Sequence, residues 1–596
     1  MLVQPLPEPA PSSAVVEKSV TGKRWVMEEY NERLALTLSQ RHTLPDIVAQ
    51  IMAARDISPE EAADFLDPTL RALMPDPAHL KDMPKAAARF AKAIAAKEKI
   101  CVYGDYDVDG ATSSALLMRF GRACGHSVEA YVPDRIKEGY GPNEAAMKAL
   151  AARGFTLIVT VDCGTAAHQP LAAAKEAGVD VIVLDHHIGE PELPPAFAVV
   201  NPNRFDESSE QRHLAAVGVT FLFLVAVHKQ LKADGFFENR TVPNLLDELD
   251  LVALGTVCDM VALKGANRAF VRQGLRILST TNNIGLRALL NSSRQKGPMD
   301  CGTAGFLLGP RVNAGGRVGK SDLGARLLSS ESEVEAEQLA AALEKLNEER
   351  RAIEKDIVEQ AFTLVPHEVA SCVMVEAEGW HPGVIGLVAS RLKERFNRPS
   401  FATAFDDKGV GKGSCRSVRG IDIGALVIAA KQEGLLTNGG GHAMAAGYTV
   451  GHNRYPEFKA FVEVRTAKMI EEAPLEPTLV IDGILAVPGA TLDLAGKILA
   501  LAPFGMGNPE PRFAVMDAVL MKAEVMSEKH LRLSLTDRQG AYLRAVCWRA
   551  MDNHIGPALM GLARGARLHV AGHLQINHWN NRTDPQFVVE DVKTCG

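Results

Sequence analysis

Three aspartates at alternate positions, Asp105, Asp107 and Asp109, stand in the stretch ICVYGDYDVDGATSS (Ile100 to Ser114), behind an apolar run and ahead of glycine and small hydroxyl residues. Like charges this close repel unless water or a cation neutralises them. An EF-hand calcium loop would also begin DYDVDG. Its twelfth position should be a bidentate glutamate, however, and here it is Leu116, while an apolar strand stands where an entering helix is required. A solvated acidic turn is the simpler alternative, and more distant residues bear on the choice.

Asp162 in VTVDCG and the run LDHH, Leu184 to His187, each close another strand-like segment. From Lys99 to about Asn203, the apolar runs KICVYG, SVEAYVP, TLIVTVDCG and VDVIVLDHH alternate with alanine-rich stretches such as NEAAMKALAARG and PLAAAKEAG. That alternation predicts βαβ units and a parallel sheet. Ligands of such sheets gather outside the carboxyl ends of the strands, so three separate segments deliver Asp105, Asp162, Asp185, His186 and His187 to one edge. Carboxylates with an imidazole make a hard O/N donor set, suited to Mn²⁺ or Mg²⁺ rather than to thiolate-bound zinc. Two such ions sharing a carboxylate can activate water and neutralise a phosphoryl oxygen, so the chemistry expected is phosphoester hydrolysis.

The elements that must position these groups belong to a long chain. Its 596 residues, 47% apolar and 23% charged, predict three or four globular soluble domains. Nine cysteines without CxxC spacing suggest neither a disulfide framework nor a zinc site and fit a reducing cytoplasm. A net charge of −7 argues against blanket nucleic-acid binding but leaves room for a basic channel. The Pro-rich start, MLVQPLPEPAPSSAVVEKSV, is a poor signal peptide, and the longest apolar stretch, LAAVGVTFLFLVAV, reads as a buried helix, so no membrane span is expected.

Further along, GPRVNAGGRVGKSD reads as a Gly/Arg-rich loop. A charged helix follows, with Leu339, Leu343, Leu346, Ile353 and Ile357 at helical spacing, and it is expected to be a rigid connector. A second α/β unit then carries EGWHPGVIGLVASRL, GKGSCRSVRG and TNGGGHAMAAG, whose glycines suit loops that approach something closely. The last stretch has alternating runs such as HLRLSLTD and PQFVVEDV, as in a small β-barrel.

The ordered series GDYDVDG, VDCG, DHH, GTVCD, RVNAGGR, GWHPGVIG, GSCRS and GGGHAMAAG resembles the DHH phosphoesterases, and within them the bacterial single-strand-specific exonucleases. FGMGNPEPRF and INHWNNRTDPQFVVEDV extend the likeness to the C-terminal barrel. The resemblance implies an α/β fold in which a parallel-sheet DHH domain is joined by a long helix to a DHHA1-like α/β domain, followed by an OB-like β-barrel. The boundaries expected are a disordered tail over 1–22, an N-terminal helical segment over 23–78, the DHH domain over 79–330, the connector over 331–362, the DHHA1-like domain over 363–472 and the barrel over 473–596.

By the same resemblance, two Mn²⁺ or Mg²⁺ ions would be held by Asp105, Asp107, Asp109, Asp162, His186 and Asp259. Asp162 would bridge, and Asp185 would orient His186. Many DHH enzymes carry a ligating histidine four residues before the aspartate that Asp107 matches; Tyr103 stands there, which leaves open which of the three aspartates ligate. His187 could contact the scissile phosphate, help protonate the leaving group, or simply be a packed histidine.

Arg311, Asn313, Arg317, His381, Ser414, Arg416, Ser417 and His442 lie in the glycine-rich motifs and, with Arg135 in VPDRIKEGYG, would contact phosphates; ordinary turns with solvated arginines are the plain alternative. In the barrel, Trp579 and Trp548 would line a single-strand groove with Arg544, Arg549 and Lys529, unless they are core residues. The resemblance thus implies a cytoplasmic exonuclease that degrades single-stranded DNA from its 5′ end to 5′-mononucleotides in repair and recombination. A single-strand-binding protein and a RecQ-type helicase would be its partners. The alternatives are a DHH oligoribonuclease or cyclic-dinucleotide phosphodiesterase, and a non-catalytic single-strand-binding scaffold.

Overall fold

Strands Val128–Tyr131, Ile100–Gly104, Leu157–Val161, Asp180–Leu184 and Ala198–Val200 lie side by side in that order, all parallel, in the computed structural model, which describes residues 14–135, 137–295, 297–369, 371–579 and 582–595. Every residue of Ile100–Gly104 and Leu157–Val161 is buried, as expected when helices cover both faces of a parallel sheet. The strand order reverses between these two central strands, and a doubly wound sheet opens its crevice at such a reversal. Asp105 and Asp162 are the residues that immediately follow them.

Asp107 caps the helix Val108–Ala123 by accepting the Gly110 amide at 3.1 Å. Gly110 cannot carry a side chain, because its Cβ would lie 2.5 Å from the Asp105 carbonyl oxygen. The turn therefore folds back tightly and keeps all three aspartates at the crevice. The helix Ala216–Ala233 is long and apolar enough to cross a membrane by length and composition, but 61% of it is buried within the fold, as a core helix would be.

The stretch read as a Gly/Arg-rich loop is a helix, Gly309–Val318. Its glycines serve close packing rather than a turn: a Cβ on Gly316 would meet the Tyr106 carbonyl oxygen at 2.8 Å, and one on Gly315 would meet Leu343 of the following helix at 3.3 Å. That following helix, Glu333–Leu364, runs 32 residues. Leu339, Leu343 and Ile357 are buried on it, and so are the polar Asn347, Arg350 and Glu354. A mixed sheet follows in the order Asn438–His442, Ala445–Gly451, Val410–Arg416, Ser400–Phe405, Val373–Glu378, with only the last pair parallel.

The chain divides into two compact units, Leu73–Leu475 and Met1–Ala72 with Glu476–Gly596. In the second, strands Phe513–Met526, His530–Thr536, Tyr542–Cys547, Arg582–Thr594 and Arg567–Trp579 pair in that order, and the last pairs with the first to close a five-stranded barrel. Two expectations for the amino-terminal part need correction. Within the span read as a disordered tail, Ala14–Val16 is a strand paired with Arg24–Met27, while residues 1–13 lie outside the described residues. The segment 23–78 holds the expected helices but also a strand, and through Ala72 it packs into the barrel's own unit. Arg24–Met27 pairs in parallel with Thr478–Ile481, and Leu38, Val48, Ile51 and Met52 share one apolar core with Leu485, Phe513, Leu533 and Phe587 of the barrel. Its helices are too short to bury their apolar faces alone, so they coat the barrel.

Candidate metal centre

Three loops that leave the parallel sheet and one helix end converge at the crevice. Asp162 adopts a left-handed backbone, φ 61°, just past its strand, and such a conformation in a residue other than glycine often marks a functional site. His186 turns its Nε2 to within 3.3 Å of an Asp162 oxygen, 3.5 Å of Asp259 and 4.0 Å of Asp109. Asp259 caps the end of the helix Leu249–Cys258. Ligand atoms of Asp105, Asp107 and Asp162 fall within 4.8 Å of one another, as do those of Asp109, His186 and Asp259. The two triads meet at the 3.3 Å approach of Asp162 to His186.

Partnering decides what these groups can do. Asp105 Oδ1, Asp162 Oδ1, His186 Nε2 and Asp259 Oδ2 are all buried, and none has a hydrogen-bond partner. Native proteins seldom bury such atoms unsatisfied, so this cluster fits a pair of divalent cations. Asp109 is held in place by the Ala216 and Val217 amides at 2.7 and 2.8 Å, at the start of the helix Ala216–Ala233. Burial, then the charges of their neighbours, pushes Asp109 up to about 7 and Asp259 up to about 9, and raises Asp105 and Asp162 well above the carboxylate range. Without a cation, the cluster holds protons instead.

The two histidines differ. Burial and the neighbouring His187 lower His186 to about 4, which favours a neutral ring whose Nε2 faces the carboxylates. Asp185 does not orient the His186 ring, as the sequence suggested. Its Oδ1 accepts a hydrogen bond from His187 Nδ1 at 2.8 Å, and from His186 it accepts only the main-chain amide. Burial works against the His187 imidazolium, but the Asp185 hydrogen bond and charge, with Asp105 and Asp107 behind them, raise it to about 9. His187 is thus a proton-bearing group beside the crevice. Tyr103, in the place of a ligating histidine, is buried, and its hydroxyl donates to the Gly141 carbonyl at 3.0 Å. It braces the turn that carries Tyr140, a residue the sequence reading missed. The Tyr140 hydroxyl donates to the Asp162 carbonyl at 2.8 Å, its ring meets His187 edge-on, and 53% of the residue is exposed. Its only sequence signal was the short GYG turn.

Arginines gather beside the carboxylates. Arg135 lies over the Tyr106 ring at 4.7 Å, and Arg317 donates to the Gly383 carbonyl at 3.0 Å. Burial and the nearby charges of Arg135, Arg350 and Arg416 lower Arg317 to about 10, and burial and Arg135 also lower Arg416. Crowded, half-buried cations call for an anion. Ser414 Oγ accepts from Arg416 at 3.1 Å, and Asn313 lies one turn from Arg317 on the same helix face. His381 accepts the Gly383 amide at 3.1 Å, next to the Arg317 contact. His442 is exposed and pairs with Ala445, which pairs with Arg416, so it stands at the same end of the mixed sheet.

Two expected phosphate contacts are elsewhere. Arg311 is buried, clasped by Glu344 and the Leu307 carbonyl, because six helical residues turn it about 120° away from Arg317. Ser417 lies one residue past a strand and so faces opposite to Ser414 and Arg416; its hydroxyl is buried on the Ile421 carbonyl at 2.6 Å. The Trp579 side chain lies outside the described residues, and Trp548 is 54% exposed.

Comparison with known proteins resolves the family. Residues 99–256 match the DHH family N-terminal domain, 369–468 the DHHA1 domain and 481–591 the RecJ OB domain. The single-stranded-DNA-specific exonuclease RecJ of Bacillus subtilis (strain 168) is 35% identical over 574 residues, 96% of this chain and 70% of that protein. The chain belongs to the RecJ family. RecJ of Escherichia coli (strain K12) is 33% identical over 92% of this chain and 96% of its own. The crystal structure of RecJ in complex with Mn²⁺ from Thermus thermophilus superposes with a TM-score of 0.79 at 30% identity, covering 96% of this chain and 79% of that one. The DHH, DHHA1 and OB folds expected from the sequence are those of RecJ.

Proposed function

We propose that this chain is a metal-dependent exonuclease that hydrolyses single-stranded DNA from the 5′ end and releases 5′-mononucleotides. The observation that carries the reading is the buried, unpartnered set Asp105, Asp162, His186 and Asp259 beside the arginine cluster, in a chain of the RecJ family. Asp105, Asp107 and Asp162 would hold one Mn²⁺ or Mg²⁺ ion, and Asp109, His186 and Asp259 a second, with Asp162 between them. Bound there, the ions would lower the pKa of water and stabilise charge on a phosphoryl oxygen.

The chain's own residues do the remainder. Asp185 accepts from His187 Nδ1 and holds the ring beside the crevice, where it would bind a phosphate oxygen and donate a proton to the departing 3′ oxygen. Arg135, Arg317 and Arg416 with Ser414 would grip a terminal phosphate, leaving the first phosphodiester at the carboxylates. The exposed Tyr140 ring, fixed by its hydroxyl, can stack on the terminal base. Repair and recombination in the cytoplasm would supply the substrate: a RecQ-type helicase opens the duplex, and a single-strand-binding protein holds the strand. Digestion of the same single strand labelled at its 5′ or 3′ end, beside duplex and RNA controls, tests the function. Immediate release of labelled mononucleotide from the 5′-labelled strand is expected, and early release from the 3′-labelled strand would overturn the polarity.

A further inference from the structure

On two elements that adjoin the metal centre, large apolar side chains are held out into water by unusual backbone. Met260, 66% exposed, directly follows Asp259 with φ 57°, in the helix-ending position where glycine is the usual occupant. Phe306 is 83% exposed and belongs to the π-helical turn Thr303–Leu308; such turns recur at functional sites. That turn is built against the end of the Asp259 helix. The Cys258 thiol donates to the Ala304 carbonyl at 3.5 Å, and a Cβ on Gly309 would come within 2.5 Å of the Cys258 sulfur. The same turn runs directly into the helix Gly309–Val318, which carries Asn313 and Arg317. The turn that carries Phe306 therefore joins the carboxylate wall to the arginine wall.

Resting on the proposed function, we infer that Phe306, together with Met260, is a platform on which an unpaired base of the substrate strand stacks as its backbone passes the carboxylates. An exposed phenyl ring offers any base a π-face, whereas a paired base has both faces covered by its neighbours. Left-handed and π-helical backbone cost stability, and here they present apolar surface to water, so their use lies with a ligand. The ligand adjoining a phosphodiester site is the nucleobase.

The test uses the full chain and 5′-phosphorylated single strands carrying one abasic residue at successive positions. The parent should lose roughly tenfold in kcat/KM at one position. Phe306→Ala should lose about as much on the fully based strand and nothing further on that abasic strand; Phe306→Trp should stay near the parent, and Met260→Ala should lose about threefold. Parental kcat/KM for Phe306→Ala on the fully based strand, or losses that multiply at every abasic position, would overturn the platform. A second arm needs neither a variant nor hydrolysis: strands with 5-iododeoxyuridine at each position are irradiated with the parent in EDTA, and the adducts are mapped by mass spectrometry. An adduct on Phe306 from one position is expected, and none from any position overturns the inference. If the parent fails to degrade a strand from its 5′ end, the proposed function falls, while the crosslink still judges the platform.

Discussion

On the barrel, Asp517, His569 and Cys595 bring a carboxylate, an imidazole and a thiol within 4.8 Å of one another, as close as the ligand atoms in the sheet crevice. The two clusters look alike by distance and differ in their partners. His569 Nδ1 accepts the Asp517 amide at 3.0 Å, its Nε2 lies 3.4 Å from the Cys595 sulfur, and Asp517 is paired with Arg567 at 2.6 Å. Each of these three groups on the barrel has a partner inside the protein. In the crevice, Asp105, Asp162, His186 and Asp259 each keep a buried atom with none. Proximity of ligating atoms alone is therefore a poor sign of a metal site, and proximity joined to unmet hydrogen-bonding capacity a better one.

The largest expected effect separates the clusters directly. Asp162→Ala should lower kcat/KM on single-stranded DNA by roughly three decades or more while strand binding, read by fluorescence anisotropy, stays within a few-fold, because the arginines grip the strand separately. Near-parental turnover in a folded variant would remove Asp162 from the metal shell. Next in size, Arg416→Ala should cost one to two decades in kcat/KM, as expected for about 1.5–3 kcal/mol of charge-assisted bonding. That loss should shrink on strands with a 5′-hydroxyl, and Mn²⁺ affinity should hold. Arg311→Ala should instead lower Tm through loss of its Glu344 clasp and leave the 5′-phosphate preference unchanged.

Stability of the metal-free protein sharpens the contrast further. Asp109 at about 7 and Asp259 at about 9 are raised above an unfolded aspartate, so the folded state binds more protons and loses stability as pH rises from about 4 to about 9. Thermal melts in EDTA should show Tm falling across that window, and Mn²⁺ should abolish the slope; a flat profile in EDTA would contradict the protonated cluster. The smallest effect belongs to the barrel: His569→Ala and Cys595→Ala should each leave kcat/KM and Mn²⁺ affinity within about twofold.

Much of the crevice was legible from the chain. Asp105, Asp162 and the DHH run each follow an apolar, β-branched run, and a parallel sheet must bring such ends to one edge. Side-chain direction was less legible. Alternation along a strand separates Ser417 from Ser414 and Arg416, and helical rotation separates Arg311 from Arg317, but the second inference required knowing that a glycine-rich motif is helical. Those glycines are there for packing against Tyr106 and Leu343, contacts no local pattern reveals. Asp185 sits beside both histidines in sequence, so only the fold shows which ring it holds. The Arg24–Met27 pairing with Thr478–Ile481 joins residues more than 450 positions apart and leaves no local trace.

The most direct measurement is anomalous diffraction at the manganese edge from crystals of the full chain soaked in Mn²⁺. The account predicts two peaks in the crevice, one among Asp105, Asp107 and Asp162 and one among Asp109, His186 and Asp259, with none at Asp517, His569 and Cys595. A crevice without both peaks, or a peak on the barrel cluster, would contradict it.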